Sequence, residues 1–217
     1  MHNETIENYL KTIYHLSNGN TCVVTNKQLA FTLKVNPATV TEAVRKLDAL
    51  NLVKYEKSYG TQLSTQGTKK ALAIVRRHRI WETFLAKELG FGWDEVHEIA
   101  EELEHVSSEK LIQKLFQKLG NPLFDPHGDP IPDENGKFHK IEFIKLSEAK
   151  VGRNYILSGV ADHSSAFLKF LDYNKLKIGD QIKILGREIF DGSMLINCNK
   201  NEIRLSLQMV LNLLVKK

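Results

Sequence analysis

Residues 25–52, TNKQLAFTLKVNPATVTEAVRKLDALNL, contain two helical patterns separated by a short turn. Thr25 is a suitable N-cap for the first helix, and Asn36 followed by Pro37 is a suitable start for the second, because side-chain oxygens cap free amides and proline fits the first turn. The apolar positions expected to face inward are Leu29, Ala30 and Leu33 in the first helix and Val40, Val44, Leu47 and Leu50 in the second. The pattern predicts a helix-turn-helix.

The segments on either side extend this prediction. Residues 5–16 repeat apolar side chains at helical spacing, which predicts one more helix before the motif. Residues 52–67, LVKYEKSYGTQLSTQG, alternate around SYGT and predict a β-hairpin. A helix-turn-helix followed by such a hairpin is a winged helix-turn-helix, an architecture typical of DNA-binding domains.

Charge is divided unevenly along the chain, although the formal net charge is only +4. Residues 1–80 carry 12 Lys and Arg against 5 Asp and Glu, whereas residues 81–125 carry 4 against 10. A basic head suits a polyanion, and an acidic middle suits a cation. Runs of charge are more often solvated surfaces, so charge alone leaves both interpretations open.

The acidic middle contains a helical stretch, HEIAEELEHVSSE at residues 97–109, with an unusual polar face. At 100° per residue, one face collects two imidazoles and two carboxylates, from His97, Glu101, Glu104 and His105. The opposite, apolar face should contact a core and comprises Val96, Ile99, Leu103 and Val106. Burial of the polar face needs a partner, and a divalent cation would satisfy all four groups. The face is therefore either solvated or a metal site.

The remaining residues predict a long helix, a structured loop and a β domain. Residues 65–89 are helical in pattern, and residues 121–138 hold four of the five prolines, so a domain boundary falls within or after that loop. From residue 141 the apolar period changes to two, which predicts a small β-barrel. A helix at 164–174 interrupts this barrel, and an apolar segment at 207–215 closes it.

Composition and hydropathy indicate in which cellular compartment the protein is expected. The chain of 217 residues is 42% hydrophobic, which is enough for a sizeable core. It has neither an apolar run long enough for a membrane span nor a recognisable leader, so we expect a cytoplasmic protein without a membrane partner. Cys22 and Cys198 are far apart in sequence and are expected to be packing residues.

Three stretches together are specific: RHRIWETFL at 77–85, VHEIAEELEHVSSE at 96–109 and NPLFDPHGDPIP at 121–132. With the winged helix before them and the barrel after them, the chain resembles the diphtheria-toxin-repressor family of metal-dependent transcriptional repressors over essentially its whole length, and DPHG is similar to the manganese-sensing, three-domain branch. The resemblance implies a mainly α protein with a small β domain. Its parts would be a winged helix-turn-helix DNA-binding domain at 1–73, a helical dimerisation and metal-binding domain at 74–140, and an SH3-like β-barrel domain at 141–217.

The resemblance also implies metal ligands at positions that match the family's motifs. The primary site would use Asn8, His78, Glu101, Glu104 and His105. A secondary site would use Glu82, Asp125, His127 and, from the third domain, Asp162, while His97 matches a ligand of the iron-sensing members. Three positions depart from the branch: Asn8 is a weaker, neutral ligand, Lys11 stands where a carboxylate can occur, and Asp125 stands where relatives often have Cys.

These candidate ligands are oxygen and imidazole donors, which suit Mn²⁺ or Fe²⁺ better than a soft ion. Zn²⁺ and Cu²⁺ bind such sites more tightly in general, so selectivity must come from geometry and metal availability. We expect Mn²⁺, or alternatively Fe²⁺, with two ions per subunit.

Ten residues are expected to face DNA. On the second helix of the motif, the side chains that could contact bases or phosphates are Thr39, Thr41, Glu42 and Arg45. At the start of that helix, Pro37 and Ala38 could contact thymine methyl groups. Phosphate contacts, which change affinity and its salt dependence more than sequence preference, are expected from Lys27, Lys46, Lys57 and Tyr59.

Together these features predict a transcriptional repressor that binds double-stranded operator DNA as a homodimer when Mn²⁺ or Fe²⁺ is bound, and that controls metal-uptake genes. Three alternatives stay open: an iron-sensing rather than a manganese-sensing regulator, a metal-independent DNA-binding module, and a dinuclear metalloenzyme. An enzyme would need an open coordination position, a water nucleophile and a substrate pocket, none of which the sequence identifies. We therefore expect no enzymatic activity and no small organic substrate.

Overall fold

The computed structural model describes residues 2–106, 108–139 and 142–217, which divide into two compact units. Unit 1 comprises Met1–His78, Glu101–Glu109 and Pro132–Phe138. Unit 2 comprises Arg79–Ala100, Lys110–Ile131 and His139–Lys217. The domain limit predicted between residues 140 and 141 lies outside the described residues.

Unit 1 contains the winged helix-turn-helix predicted from the sequence. Its helices are α1 (Asn3–Leu16), α2 (Asn26–Leu33) and α3 (Pro37–Ala49), followed by α4 (Thr65–Leu89), whose residues up to His78 belong to this unit. The wing is an antiparallel hairpin of β1 (Val53–Glu56) and β2 (Gly60–Leu63), in which Glu56 pairs with Gly60 next to the turn.

The predicted caps begin α2 and α3. Thr25 forms a capping box with Gln28, and the Asn36 side chain accepts the Ala38 amide at 2.9 Å. The apolar faces of the helices meet in one core, where the fully buried side chains include Leu10, Ile13, Leu29, Val40, Val44 and Leu47. Each such side chain contributes about 1.5–3 kcal/mol by burial. The inward position predicted for Leu50 is wrong, because α3 ends at Ala49 and Leu50, which follows as the C-cap, is 52% exposed.

Unit 2 begins with a helical part. It contains the end of α4, the first residues of α5 (Val96–Leu103) and most of α6 (Glu109–Lys118). A small core joins these helices to the following loop and comprises Ile80, Ile112, Leu115 and Ile131.

The apolar face predicted for the acidic stretch at residues 97–109 is only partly correct. Val96 is buried, but α5 ends at Leu103, so Val106 no longer follows the helical period and is 40% exposed.

The rest of unit 2 is the β domain, in which six described strands form one antiparallel sheet in the order β3-β8-β4-β5-β6-β7. The strands are β3 (Ile144–Lys145), β4 (Asn154–Val160), β5 (Gln181–Arg187), β6 (Met194–Cys198), β7 (Asn201–Leu205) and β8 (Leu213–Lys216). Helices α7 (Ser165–Tyr173) and α8 (Leu207–Asn212) accompany them. The final apolar segment is therefore half helix and half strand, and its strand lies between β3 and β4. Register shifts in the β4–β8 and β5–β6 pairs mark bulges that bend the sheet.

The two cysteines differ. Cys198 is buried as predicted, whereas Cys22 is exposed, so the prediction that both pack in the interior is wrong for Cys22.

Among the helices of the described residues, none combines the length and the hydropathy needed to span a membrane.

Candidate metal centre

Four side chains of unit 1 form an ionic cluster, which we call the Lys11 cluster. Its members are Lys11 of α1, His78 of α4, Glu101 of α5, and Glu104, which follows α5. Lys11 Nζ lies 2.7 Å from Glu101 Oε1 and 2.5 and 2.7 Å from the two oxygens of Glu104. Because Glu104 is 0% exposed, its charge depends on protein partners rather than on bulk water. An ammonium group thus lies between the two carboxylates that the sequence assigned to a metal.

His78 is the second partner of Glu104. Its Nδ1 lies 2.7 Å from Glu104 Oε2 and 4.0 Å from Glu101 Oε1. Burial by itself raises the pKa of the Glu104 carboxyl, but the hydrogen bond with His78 and the charge of Lys11 outweigh that effect and leave the pKa below its ordinary value. Glu104 is therefore a buried anion, as a metal ligand must be.

His105 is held beside the Lys11 cluster by Glu7. Its Nδ1 is 2.8 Å from Glu7 Oε2, and its Nε2 is 3.9 Å from Glu104 Oε1. Arg77 fixes Glu7, because its Nη2 donates to Glu7 Oε1 at 2.9 Å while its Nε donates to the Glu104 carbonyl at 2.7 Å. A carboxylate that accepts from one imidazole nitrogen orients the other nitrogen toward a metal. Sequence reasoning missed Glu7 and Arg77, since their role depends on contacts between segments far apart in the chain.

Asn8, the weakest of the predicted ligands, lies on α1 three residues before Lys11 and therefore on the same side of the helix. Its Oδ1 is buried and accepts no hydrogen bond from any described residue. A buried acceptor without a donor costs about 1–3 kcal/mol. An unsatisfied oxygen on this face of α1 fits a cation ligand, and so do the carboxylates and imidazoles of the neighbouring side chains.

Three side chains of unit 2 form a second group, which we call the Asp125 cluster: Glu82, Asp125 and His127. All three are buried, and each offers one ligand atom within 4.8 Å of the others. His127 Nδ1 lies 3.6 Å from Glu82 Oε2 and 4.0 Å from Asp125 Oδ1. Ligands about 2.1 Å from a first-row divalent ion are roughly 3–4.3 Å apart. The donor atoms are thus close to the separations that such an ion requires.

A rigid loop positions Asp125 and His127. Asp125 Oδ1 accepts the amides of His127 and Asp129 at 2.8 and 3.0 Å, which closes the turn. Gly128 has φ +87° and approaches β4 so closely that a Cβ there would lie 2.2 Å from the Ser158 carbonyl oxygen. Only glycine combines that conformation with that approach.

The orientation of the His127 ring is fixed as well. His127 Nε2 lies 2.7 Å from the Trp93 carbonyl oxygen, to which it donates, and the ring stacks on the Trp93 indole at 6.4 Å between centroids. With Nε2 engaged in this way, Nδ1 is the nitrogen directed at the carboxylates. Metal-binding histidines commonly donate their second nitrogen to a carbonyl or carboxylate in the same manner.

Charge in the Asp125 cluster is balanced by protons and by an arginine. Burial, followed by the charges of Glu82 and Asp129, raises the pKa of Asp125 well above its ordinary value. Burial would lower the pKa of His127, but its hydrogen bond with Glu82 and the charges of Glu82 and Asp125 raise that pKa to about 9. Arg79 adds a fixed positive charge, with Nε 3.6 Å from Asp125 Oδ2.

The structure brings some further predicted residues to this cluster and not others. His97 Nδ1 is 3.3 Å from Glu82 Oε1, so His97 adjoins it. Asp162 Oδ1 instead accepts the Ser164 amide at 2.9 Å, before α7 begins. His163, for which no role was predicted, approaches His127, with ring centroids 5.0 Å apart. Spacing along a loop could not decide between two adjacent residues.

The predicted DNA-facing residues lie on the motif and the wing, and nine of the ten are exposed. Thr41 is half-buried, because its hydroxyl donates to the Pro37 carbonyl at 3.0 Å and accepts from Asn26 Nδ2 of α2 at 3.0 Å. Glu42 pairs with Lys46 at 2.6 Å on the exposed side of α3. These positions are accessible to a ligand, with the Thr41 hydroxyl already engaged within the protein.

Comparison with known proteins assigns each part of the chain. Residues 1–61 match the family described as iron dependent repressor, N-terminal DNA binding domain, and residues 64–133 match iron dependent repressor, metal binding and dimerisation domain. Residues 144–217 match the FeoA domain. The fold class predicted from the sequence, with a winged helix, a helical domain and a small SH3-like β domain, is confirmed.

Characterised relatives and solved structures agree with these matches. The chain is 34% identical over 112 residues to the iron-dependent repressor IdeR of Mycobacterium leprae. This match covers 52% of this chain and 48% of the relative, so it spans about half of that repressor. A manganese-dependent transcriptional repressor in complex with manganese has a TM-score of 0.85 at 32% identity, covering 97% of this chain and 98% of the other. ScaR with bound Zn²⁺ has a TM-score of 0.77 at 35% identity, covering 98% and 99%.

Proposed function

Because the chain belongs to the family of metal-dependent transcriptional repressors, whose members are DNA-binding regulators and not enzymes, we propose that it represses transcription by binding operator DNA as a homodimer in a metal-dependent way. The observation that carries the proposal is the Lys11 cluster, which joins α1 of the DNA-binding head to the buried Glu104 and the partly exposed Glu101. A dinuclear enzyme has no comparable support.

Two ions per subunit are proposed. The Lys11 cluster would hold one through Asn8, His78, Glu101, Glu104 and His105. The Asp125 cluster would hold the other through Glu82, Asp125 and His127, with His97 adjoining. Asp162, whose Oδ1 accepts the Ser164 amide, would have to offer its other oxygen or release that amide to become a ligand. A bound divalent ion supplies concentrated positive charge for these carboxylates and imidazoles.

Manganese is the proposed physiological ion, with iron as the alternative. Both clusters consist of carboxylate, imidazole and amide donors and contain neither thiolate nor thioether, which suits Mn²⁺ and Fe²⁺. Structures of manganese-dependent repressors align over nearly the whole chain, and this supports manganese over iron.

Helix α1 is the proposed link between the ion and DNA. One side of α1 buries Tyr9, Leu10 and Ile13 in the core of the winged helix. On its polar side, Lys11 contacts Glu101 and Glu104, and Glu7 contacts His105. A new partner for Glu104 therefore alters what restrains α1 and, through the shared core, the placement of α3. By linkage, the ion and the DNA must each strengthen the binding of the other.

Contacts to DNA are proposed for the exposed side of α3 and for the wing. Arg45, Thr39 and Glu42 would face base edges, and Pro37 and Ala38 would face thymine methyls. Lys27, Lys46, Lys57 and Tyr59 would contact phosphates, so their loss should reduce affinity for every sequence and flatten its salt dependence. Two such heads in a homodimer would occupy successive major grooves. The regulated genes are proposed to be those of metal uptake.

The test uses a duplex selected from a random DNA library by the full-length protein in the presence of Mn²⁺. We expect Mn²⁺ to raise the affinity of the wild type for this duplex by roughly 10- to 100-fold over chelator, and His105→Ala to lose that increase while it keeps salt-dependent binding to unrelated DNA. His139→Ala, which removes an exposed histidine, is the matched control. Equal affinity of the wild type in Mn²⁺ and in chelator would refute the proposal.

A further inference from the structure

The position of Lys11 bears on how tightly the Lys11 cluster binds a metal ion. This inference rests on the metal-dependent function proposed above. Lys11 is buried, and its Nζ contacts both oxygens of Glu104 and one oxygen of Glu101. These are the two carboxylates of the Lys11 cluster, so the ammonium occupies the place from which both can be reached at once.

An ammonium and a divalent ion cannot share this position. Both require the Glu101 and Glu104 oxygens, and two cations about 4 Å apart in a buried site repel each other strongly. His78 Nδ1 already forms a hydrogen bond of 2.7 Å with Glu104 Oε2, which leaves few acceptor lone pairs on that carboxylate. An ion that binds here must therefore move the Lys11 side chain away.

We propose that Lys11 is a built-in competitor of the divalent ion, and that it sets the ion concentration at which the Lys11 cluster fills. When only a fraction of molecules has the ammonium displaced, the apparent dissociation constant is the intrinsic one divided by that fraction. Lys11 thereby weakens binding of every divalent ion at this cluster, while it keeps Glu104 compensated in the metal-free protein.

The Asp125 cluster is paired with a more distant side-chain cation. Its nearest fixed cation, Arg79, has Nε 3.6 Å from Asp125 Oδ2 and directs its Nη2 to Asp129 at 3.2 Å. Competition by a side chain is therefore stronger at the Lys11 cluster, where Nζ is within hydrogen-bond distance of both carboxylates. Removal of the lysine should change one class of ions and leave the other unchanged.

The experiment titrates full-length protein with Mn²⁺, measures free Mn²⁺ by electron paramagnetic resonance, and records thermal unfolding in chelator. Lys11→Leu removes the charge and introduces no thioether ligand, Lys11→Gln removes the charge but keeps a donor for Glu104, and Lys11→Arg keeps the charge. Lys118→Leu is the matched control, because Lys118 forms an exposed ion pair with Glu88 at 3.0 Å.

We expect one class of Mn²⁺ to bind at least about tenfold more tightly in Lys11→Leu and Lys11→Gln, but not in Lys11→Arg or Lys118→Leu. Metal-free Lys11→Leu should also unfold at a lower temperature. If Lys11→Leu does not fold without metal, the Mn²⁺ affinities of Lys11→Gln and Lys11→Arg decide whether the charge at position 11 competes with the ion. Equal Mn²⁺ affinity in wild type, Lys11→Gln and Lys11→Arg overturns the inference. The proposed function would instead be refuted if His105→Ala removed none of the classes of Mn²⁺ that the wild type binds.

Discussion

The Lys11 and Asp125 clusters contain similar donors but balance their charge differently. In the Lys11 cluster, a side-chain ammonium and His78 compensate Glu104, whose pKa lies below its ordinary value. In the Asp125 cluster, protons provide much of the balance, because the pKa of Asp125 is raised well above its ordinary value and that of His127 is about 9.

The species that an ion would have to displace therefore differs between the two clusters. At the Lys11 cluster the proposed competitor is a side chain of the protein itself, the ammonium of Lys11. At the Asp125 cluster the competitor is the proton, so His127 must lose one before its Nδ1 can bind a metal. Similar ligand sets can therefore give two sites that respond to different conditions.

We expect the two clusters to differ most in how they make the stability of the metal-free protein depend on pH. The pKa of His127 is raised from 6.5 to about 9, so its contribution is fully present below pH 6.5 and is lost as pH rises toward 9. The raised pKa of Asp125 acts in the same direction. The Glu104 contribution is present above pH 4.5 and should be constant in this range.

Urea unfolding in chelator between pH 6.5 and 9 measures this dependence. We expect the free energy of unfolding to fall by as much as about 3 kcal/mol, and His127→Gln to flatten the curve. His139→Gln, at an exposed histidine, should unfold like the wild type. A His127→Gln curve parallel to that of the wild type would show that protons do not balance the Asp125 cluster.

A smaller effect is expected at the Lys11 cluster, from a change in the carboxylate that contacts His105. Glu7 accepts from His105 Nδ1 at 2.8 Å, and loss of such a carboxylate typically weakens metal binding 10- to 100-fold. We expect Glu7→Gln to weaken one Mn²⁺ class by about tenfold, since the amide keeps one acceptor oxygen, and to leave the other class unchanged. Glu4→Gln, at an exposed glutamate of the same helix, is the control. The same Mn²⁺ affinity in both variants would exclude Glu7 as the residue that positions His105.

The sequence predicted the local features well, because they depend on near neighbours. Thr25 and Asn36 cap helices as expected, and the hairpin turns at SYGT. The four-residue spacing of His78 and Glu82 placed two candidate ligands on one side of α4. The resemblance supplied the order of the domains, which the comparisons confirm, whereas the limits at 73 and 140 and the roles of the individual ligands stay predictions.

The contacts that define the clusters could not be predicted from spacing. Periodicity assigns Lys11 to a side of α1 but does not say that this side meets Glu104, which is 93 residues away. The helix end at Leu103 moved Val106 out of the core, and loop geometry turned His163 rather than Asp162 toward His127. Such outcomes depend on tertiary packing and on backbone angles within a few residues.

We propose that ion binding and DNA binding stabilise the same arrangement of the protein. The most direct measurement is the Mn²⁺ affinity of the full-length protein with and without a saturating amount of the selected duplex. Because the homodimer is proposed to hold several ions, we expect the duplex to tighten Mn²⁺ binding by factors whose product over all bound ions equals the factor, roughly 10- to 100-fold, by which Mn²⁺ tightens DNA binding. Identical Mn²⁺ affinities with and without the duplex would contradict this proposal.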